Sequence, residues 1–266
     1  ISMQAVFFFF FQGHIAEDND PALCQWEHHD LLFHTQSRQG RHNHPVGGSF
    51  RFMDQLPHEG AFKPEAAGSR LLLPRPALEG TEPGFFSIIE KRRSRRSSSN
   101  QPMRLEQLGT LLWYVARVQE HRPANPQDPR QYEATYRPCA SAGGMHELEL
   151  YLTVNQCIGL DPALYRYDSQ AHALEWITAT NQHTQALLHD ACLAAGLTTP
   201  PCMLITLAAR HGRVAWKYQS IAYALILKNV GAIYQQLYLV ATAMGLAPCA
   251  LGAGDAERFA TATGTN

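Results

Sequence analysis

The stretch WKYQSIAYALILKNVGAIYQQLYLVATAMGLAPCALGAGD, Trp216–Asp255, sets most of the fold. From about Ser220 to Met244 it is largely apolar at helical length, which predicts one long helix. Lys228, Gln235 and Gln236 interrupt it, so it is a poor membrane span and suits a central or interface position. Beyond it, Ala247–Leu251 reads as a short strand closed by Gly252 and Gly254. Glycine there lets backbone approach a flat or phosphorylated ligand. Lys217 and Tyr218 stand just before the helix. Taken alone, such a pair reads as a surface lysine and a packed tyrosine.

Working upstream, CMLITLAAR (Cys202–Arg210) predicts a largely buried strand. ELELYLTV (Glu147–Val154) predicts another, with Leu148, Leu150, Leu152 and Val154 on one face and Glu147, Glu149, Tyr151 and Thr153 on the other. A Ser-Ala-Gly-Gly turn, Ser141–Gly144, runs straight into it. In MRLEQLGTLLWYVARV, the residues Leu105, Leu108, Leu111, Leu112, Val115 and Val118 recur at helical spacing, so that helix has an apolar face and must pack on a sheet. Gln119–Tyr136, rich in Pro, Gln and charge, reads as a mobile loop.

KRRSRRSSSN, residues 91–100, concentrates positive charge in a chain with 22 Lys plus Arg against 23 Asp plus Glu. That balance argues against a whole-protein affinity for nucleic acid or membrane, so the cluster needs a local partner. The preceding FFSIIE predicts a short helix with Phe86, Ile89 and Arg93 on successive turns of one face. An isolated charge block is commonly a solvated face. Arg92, Ser94 and Arg96 are nevertheless close enough to converge on one anion, since guanidinium forks match phosphate oxygens and a hydroxyl adds a donor. No GxGxxG follows a strand, so the glycine stretches and arginines suit a phosphorylated planar cofactor better than a dinucleotide.

The rest of the chain adds context. With 45% hydrophobic residues, 266 residues bury a core in one or two domains. The six cysteines are far apart and form no CxxC pair, which reads as reduced thiols in the cytoplasm. The opening ISMQAVFFFFFQG lacks an initiator Met and the features of a signal peptide, and Val6–Phe11 is too short to span a bilayer. Gln12–Gly80 is rich in His, Gly and Pro and is expected to wrap over other elements. His28, His29, His34, His42 and His44 invite a metal reading, but no cysteine or carboxylate pattern accompanies them, and no metal site is assigned.

The order RRSRR, RPCASAGGMHELELYLTV, LYRYDSQAHALEWI, the Trp216–Asp255 stretch and ATGTN resembles the FMN-dependent azoline dehydrogenases. These are the thiazoline oxidases of cyanobactin and microcin-type pathways, a branch of the nitroreductase superfamily. HTQSRQGRHNHPVGGSFRF resembles the segment ahead of their flavin domain, so the likeness runs from about residue 28 to the end. It implies an α+β homodimer, with residues 1–80 as the end of a peptide-docking domain plus linker and 81–266 as the FMN-binding catalytic domain. It implies that Arg92, Arg93, Ser94 and Arg96 hold the FMN phosphate, ribityl chain and pyrimidine edge. Ser141, Ala142, Gly143 and Gly144 would approach the flavin from the partner subunit, and Ala250, Leu251 and Gly252 would line the isoalloxazine. Cys139-Ala140 and His146 depart from the residues frequent at those positions. The C-terminal arm usual in the superfamily is not seen after TGTN.

The resemblance makes Lys217 and Tyr218 the catalytic pair. Turning a thiazoline into a thiazole removes a proton and a hydride from adjacent carbons, so it needs a base beside the flavin. Partial desolvation is expected to let Lys217 act as that base near neutral pH, with Tyr218 orienting the ring, relaying the proton or supplying the base itself. The substrate would be an azoline-bearing peptide, the partner enzyme a cyclodehydratase or a nonribosomal synthetase. The alternatives are an NAD(P)H-dependent nitro or quinone reductase and a flavin-free scaffold subunit.

Overall fold

The computed structural model describes residues 28–37, 43, 45, 47–76, 84–96, 102–252 and 254–265. Val6–Phe11, His42, His44, the boundary between residues 80 and 81 and the serines that follow Arg96 lie outside the described residues. In chain order the elements are α1 (His28–Gln36), β1 (Arg70–Leu72), α2 (Phe85–Lys91), β2 (Met103–Arg104), α3 (Leu105–Ala116), β3 (Glu120–Arg122), β4 (Ala134–Tyr136), β5 (Leu148–Val154) and β6 (Cys157–Ile158). They continue with β7 (Ala163–Asp168), β8 (Ala173–Ala179), α4 (Gln182–Ala195), β9 (Met203–Ala209), α5 (His211–Ala215), α6 (Ala222–Ala243) and α7 (Ala256–Thr263). A 3-10 turn occupies Ala142–Gly144.

The fold is α+β. A five-stranded antiparallel sheet in the order β1-β8-β7-β5-β9 is flanked by helices on both faces. Leu148, Leu150, Leu152 and Val154 of β5 join Leu108, Leu111, Leu112 and Val115 of α3 and Ile226 and Ile233 of α6 in the main core. The opposite face of β5 is covered as well. Tyr151 packs with Leu164 and Leu187, and its ring meets Phe259 of α7 edge-on at 5.1 Å. A strand covered on both sides needs apolar or satisfied residues on both, which is why Tyr151 and Thr153 are buried despite the alternating sequence.

Several expectations require correction. α3 stops at Ala116, because Arg117 turns to extended backbone and the Val118 amide donates to Ser169 O. β9 is an edge strand and half-buried along most of its length, since it pairs with β5 alone among the described residues. Ala247–Leu251 forms no strand. Pro248 has no N–H to give a ladder, and its carbonyl accepts from the Arg95 amide instead. α2 ends at Lys91, which leaves Arg93 beyond the helix, and Phe86 and Ile89 are exposed.

Gln119–Tyr136, expected as a mobile loop, is a built hairpin of β3 and β4. Its long turn is closed by Asn125 N donating to Gln131 O (2.8 Å) and Gln131 N to Asp128 O (2.9 Å), while Asn125 Oδ1 accepts from Gln127 N (3.0 Å). Asn and Asp side chains thus satisfy backbone that a flexible loop leaves to water. Tyr132, Thr135 and Ala134 are buried as a result. Among the described residues, no helix is long and apolar enough to cross a membrane, and the five cysteines are free thiols.

Candidate active site

Lys217 and Tyr218 follow α5 in a turn whose amides both return to Val214 O. The chain before them is anchored by Trp216, which is buried and donates its indole N–H to Leu56 O at 2.9 Å. The segment through Phe50 lies across this turn: Phe50 N donates to Lys217 O (3.1 Å) and Gln219 N to Gly47 O (3.3 Å). Lys217 Nζ donates to the Tyr132 hydroxyl at 2.9 Å and lies 4.9 Å from the ring centres of Tyr132 and Tyr218. Burial, the largest influence on Lys217, pulls its pKa down. Hydrogen bonds and charge coupling with the phenols of Tyr132 and Tyr218 together outweigh it, so the ammonium is held above the ordinary lysine range. The expectation that desolvation yields a neutral lysine is therefore corrected: Lys217 is a cation at neutral pH.

The Ser141–Gly144 turn meets this group. Gly143 has φ 64°, and a Cβ built there falls 2.7 Å from the Tyr132 hydroxyl, 2.9 Å from that of Tyr218 and 3.3 Å from Lys217 Nζ. Glycine is required by both backbone and space. Beneath the turn, Glu147 is fully buried and accepts from Asn229 Nδ2 at 2.9 Å and Ser141 Oγ at 3.2 Å, while Asn229 Oδ1 accepts from Ala142 N at 3.2 Å. A buried carboxylate fixed in this way holds the turn to α6. His146, at φ 43°, gives its amide to Ser141 Oγ. Burial, then the charges of Arg137 and Arg213, push its pKa down to about 3, so its ring is neutral. Burial pushes the Cys139 thiol up to about 11, which excludes it as a thiolate nucleophile near neutrality.

The basic cluster gathers at the other end of α6. Ser94 Oγ and the Tyr238 hydroxyl are 2.7 Å apart, the Arg92 guanidinium lies 5.2 Å from the Tyr238 ring centre, and Arg95 N donates to Pro248 O at 2.9 Å. The Tyr238 hydroxyl also accepts from Ala250 N at 2.8 Å, and the Tyr234 hydroxyl donates to Leu251 O at 3.2 Å. Arg92, Ser94, Ala250 and Leu251 are thereby brought together. Arg93 and Arg96 are exposed beside them, and a Cβ on Gly252 meets open space. None of Arg92, Arg93, Arg95 and Arg96 pairs with a carboxylate among the described residues. Such uncompensated guanidiniums beside a hydroxyl suit an anion. Asn229 and Tyr238 stand roughly 13 Å apart along α6 at 1.5 Å per residue, so in one chain the two groups are separate.

The nitroreductase family model matches residues 89–266. The chain belongs to the nitroreductase family. The model of the cyanobactin oxidase ThcOx matches residues 4–43. A Methanocaldococcus jannaschii protein that carries a nitroreductase name is 26% identical over 170 residues, which span 62% of this chain and 77% of that protein. Among solved structures, a Ralstonia eutropha protein of the same naming superposes with TM-score 0.57 at 21% identity, over 79% of this chain and 90% of its own. A chain of the E. coli microcin synthetase McbBCD complex, with truncated pro-MccB17 bound, superposes with TM-score 0.51 at 18% identity, over 89% of this chain and 85% of that one. These superpositions agree in the family's fold.

Four residues of the site escape a reading of the sequence: Tyr132, Asn229, Tyr234 and Tyr238. The last three are polar tips on the inner faces of an apolar helix, where each looks like ordinary helix surface. Asn229 alone carries a signal, as a polar residue one turn from buried Ile226 and Ile233.

Proposed function

We propose that the protein is an FMN-dependent azoline dehydrogenase that oxidises thiazolines, and oxazolines, of a modified peptide to thiazoles and oxazoles. The observation that carries this reading is the Lys217–Tyr218 pair against the Gly143 turn, because a nitro or quinone reductase requires no such proton-handling group beside its flavin. Ring oxidation takes a proton from one carbon and a hydride from its neighbour. With Lys217 held as an ammonium, Tyr218 is the group placed to take the proton; it would do so as a phenolate, after its own proton has passed to solvent, with the adjacent lysine cation offsetting the charge. The match to the cyanobactin oxidase model at residues 4–43 and the fold shared with a chain of a microcin synthetase complex support a peptide substrate.

The residues at the basic cluster fit FMN. Arg92, Arg93, Arg96 and Ser94 would hold its phosphate and polar edge, and Ala250, Leu251 and open Gly252 would lie along the ring system. When bound, FMN supplies the hydride acceptor, and molecular oxygen its reoxidation to yield hydrogen peroxide. Arg92→Ala is expected to weaken FMN binding by about 1.5–3 kcal/mol, the range for a charge-assisted hydrogen bond. Fluorescence titration of the flavin checks this, and equal affinity in the variant removes Arg92 from the site.

Ser141–Gly144 would reach the flavin of a second copy. Exposed Tyr223 and Leu227 of α6 and Phe85 and Phe86 of α2 offer apolar surface for that homodimer. We assign residues 1–80 to the end of a peptide-docking domain plus a linker, of which β1 joins the sheet of the catalytic unit, and 81–266 to FMN-binding catalysis, in the cytoplasm, beside a cyclodehydratase or nonribosomal synthetase. The test is incubation of the protein with a thiazoline peptide in air. Loss of two hydrogens per ring supports the assignment; NAD(P)H-dependent nitro or quinone reduction without ring oxidation supports the reductase instead.

A further inference from the structure

Tyr132 sits at the foot of the hairpin, 5% exposed, with its ring against those of His58 (centroids 5.0 Å) and Trp216 (6.2 Å), which also meet each other at 4.7 Å. Its hydroxyl has one proton, which it donates to Gly143 O at 2.7 Å, and a lone pair that accepts from Lys217 Nζ at 2.9 Å. One oxygen thus joins the glycine turn to the lysine. We propose that Tyr132 is a positioning residue, which fixes the Lys217 ammonium and the Gly143 carbonyl as one rigid unit and leaves Tyr218 as the phenol that exchanges a proton with substrate. The division of roles follows from the engagement of the Tyr132 oxygen on both counts, its proton given to the Gly143 carbonyl and a lone pair taken by Lys217. This deepens the proposed function and rests on it for the identity of the substrate.

The titratable groups that bear on Lys217 are Tyr132 and Tyr218, and Phe50 contributes only its ring at 5.7 Å. Both phenols favour the ammonium, so removing the Tyr132 oxygen releases part of what holds the lysine titration high. The experiment uses Tyr132→Phe in the full chain, which keeps the ring and its packing. The sequence holds four lysines, so carbon-13 labelling at lysine Cε gives a small set of signals, and Lys217→Arg identifies the one that matters. The Lys217 midpoint is expected to move to lower pH in Tyr132→Phe while the other lysines stay in place. Thiazoline turnover is expected to fall about 10- to 100-fold, the scale of one hydrogen bond to a charged group, with KM little changed and the alkaline limb of the rate profile moved to lower pH. An unmoved Lys217 midpoint overturns the proposal. The titration needs no azoline, so a shifted midpoint in a protein that oxidises no thiazoline keeps the role of Tyr132 and retires the proposed substrate.

Discussion

Tyr218→Phe is expected to lower thiazoline turnover about 10² to 10⁴-fold, the usual contribution of a positioned proton acceptor, with flavin content and melting temperature close to the parent. The ring remains to pack against the site, so a rate loss reports the hydroxyl. Lys217→Ala is expected to cause a loss in the same range, because it strips the cation from both phenols at once. Lys217 is held above the ordinary lysine range. A step that needs its ammonium therefore has an alkaline limb, lost as the pH rises through that elevated midpoint. A neutral-lysine base predicts the opposite, activity that appears as the pH rises through it. Hydrogen isotope at the ring α-carbon gives a second reading, since solvent exchange there shows deprotonation ahead of hydride loss. Both variants working at the parent rate would make the pair structural.

The second large effect concerns the frame behind this site. Arg213 is fully buried and donates to the backbone carbonyls of Met145, Glu59 and, at 2.8 Å, Glu133. Those three carbonyls belong to the base of the glycine turn, the N-terminal segment and the residue after Tyr132. Burial, then the charge of Arg210, lowers its pKa to about 10, which still leaves it protonated at neutral pH. Arg213→Met fills much of the space but orphans the carbonyls, and a loss of about 3–5 kcal/mol is expected, as for a broken buried polar cluster. Domains commonly hold roughly 5–15 kcal/mol, so the variant should unfold at much lower denaturant. Urea titration followed by circular dichroism checks this, with exposed Arg258→Met as the control, expected within about 0.5 kcal/mol of the parent. If Arg213→Met unfolds with Arg258→Met, the three segments are held by packing instead.

The parts of the fold legible in the sequence are those with sustained periodicity. Leu148, Leu150, Leu152 and Val154 announce β5, and the apolar run after Ser220 announces α6, because side chains that recur on one face leave a repeating trace. Ala247–Leu251 misled for the opposite reason: its apolar content suggested a strand, while Pro248 diverted its hydrogen bonds to Arg95 and Tyr238. Tyr132 left no trace, being one aromatic in a stretch of Pro, Gln and charge whose order comes from Asn125 and Asp128 closing the turn. The arginine cluster was visible as a local excess of charge, but its link to Ala250 runs through the hydroxyl of a helix tyrosine. Lys217 was found by motif, and its charge state was not, since that depends on two phenols, one of them 85 residues away in the chain.

The most direct test of azoline oxidation is an anaerobic single turnover. The flavin-loaded protein is mixed with a thiazoline peptide in the absence of NAD(P)H and oxygen, and the oxidised flavin absorbance is followed by stopped flow while the peptide is weighed by mass spectrometry. Bleaching of the flavin at the same rate as the peptide loses two hydrogens is the predicted result. A flavin that stays oxidised with thiazoline but bleaches on addition of NAD(P)H would contradict the account.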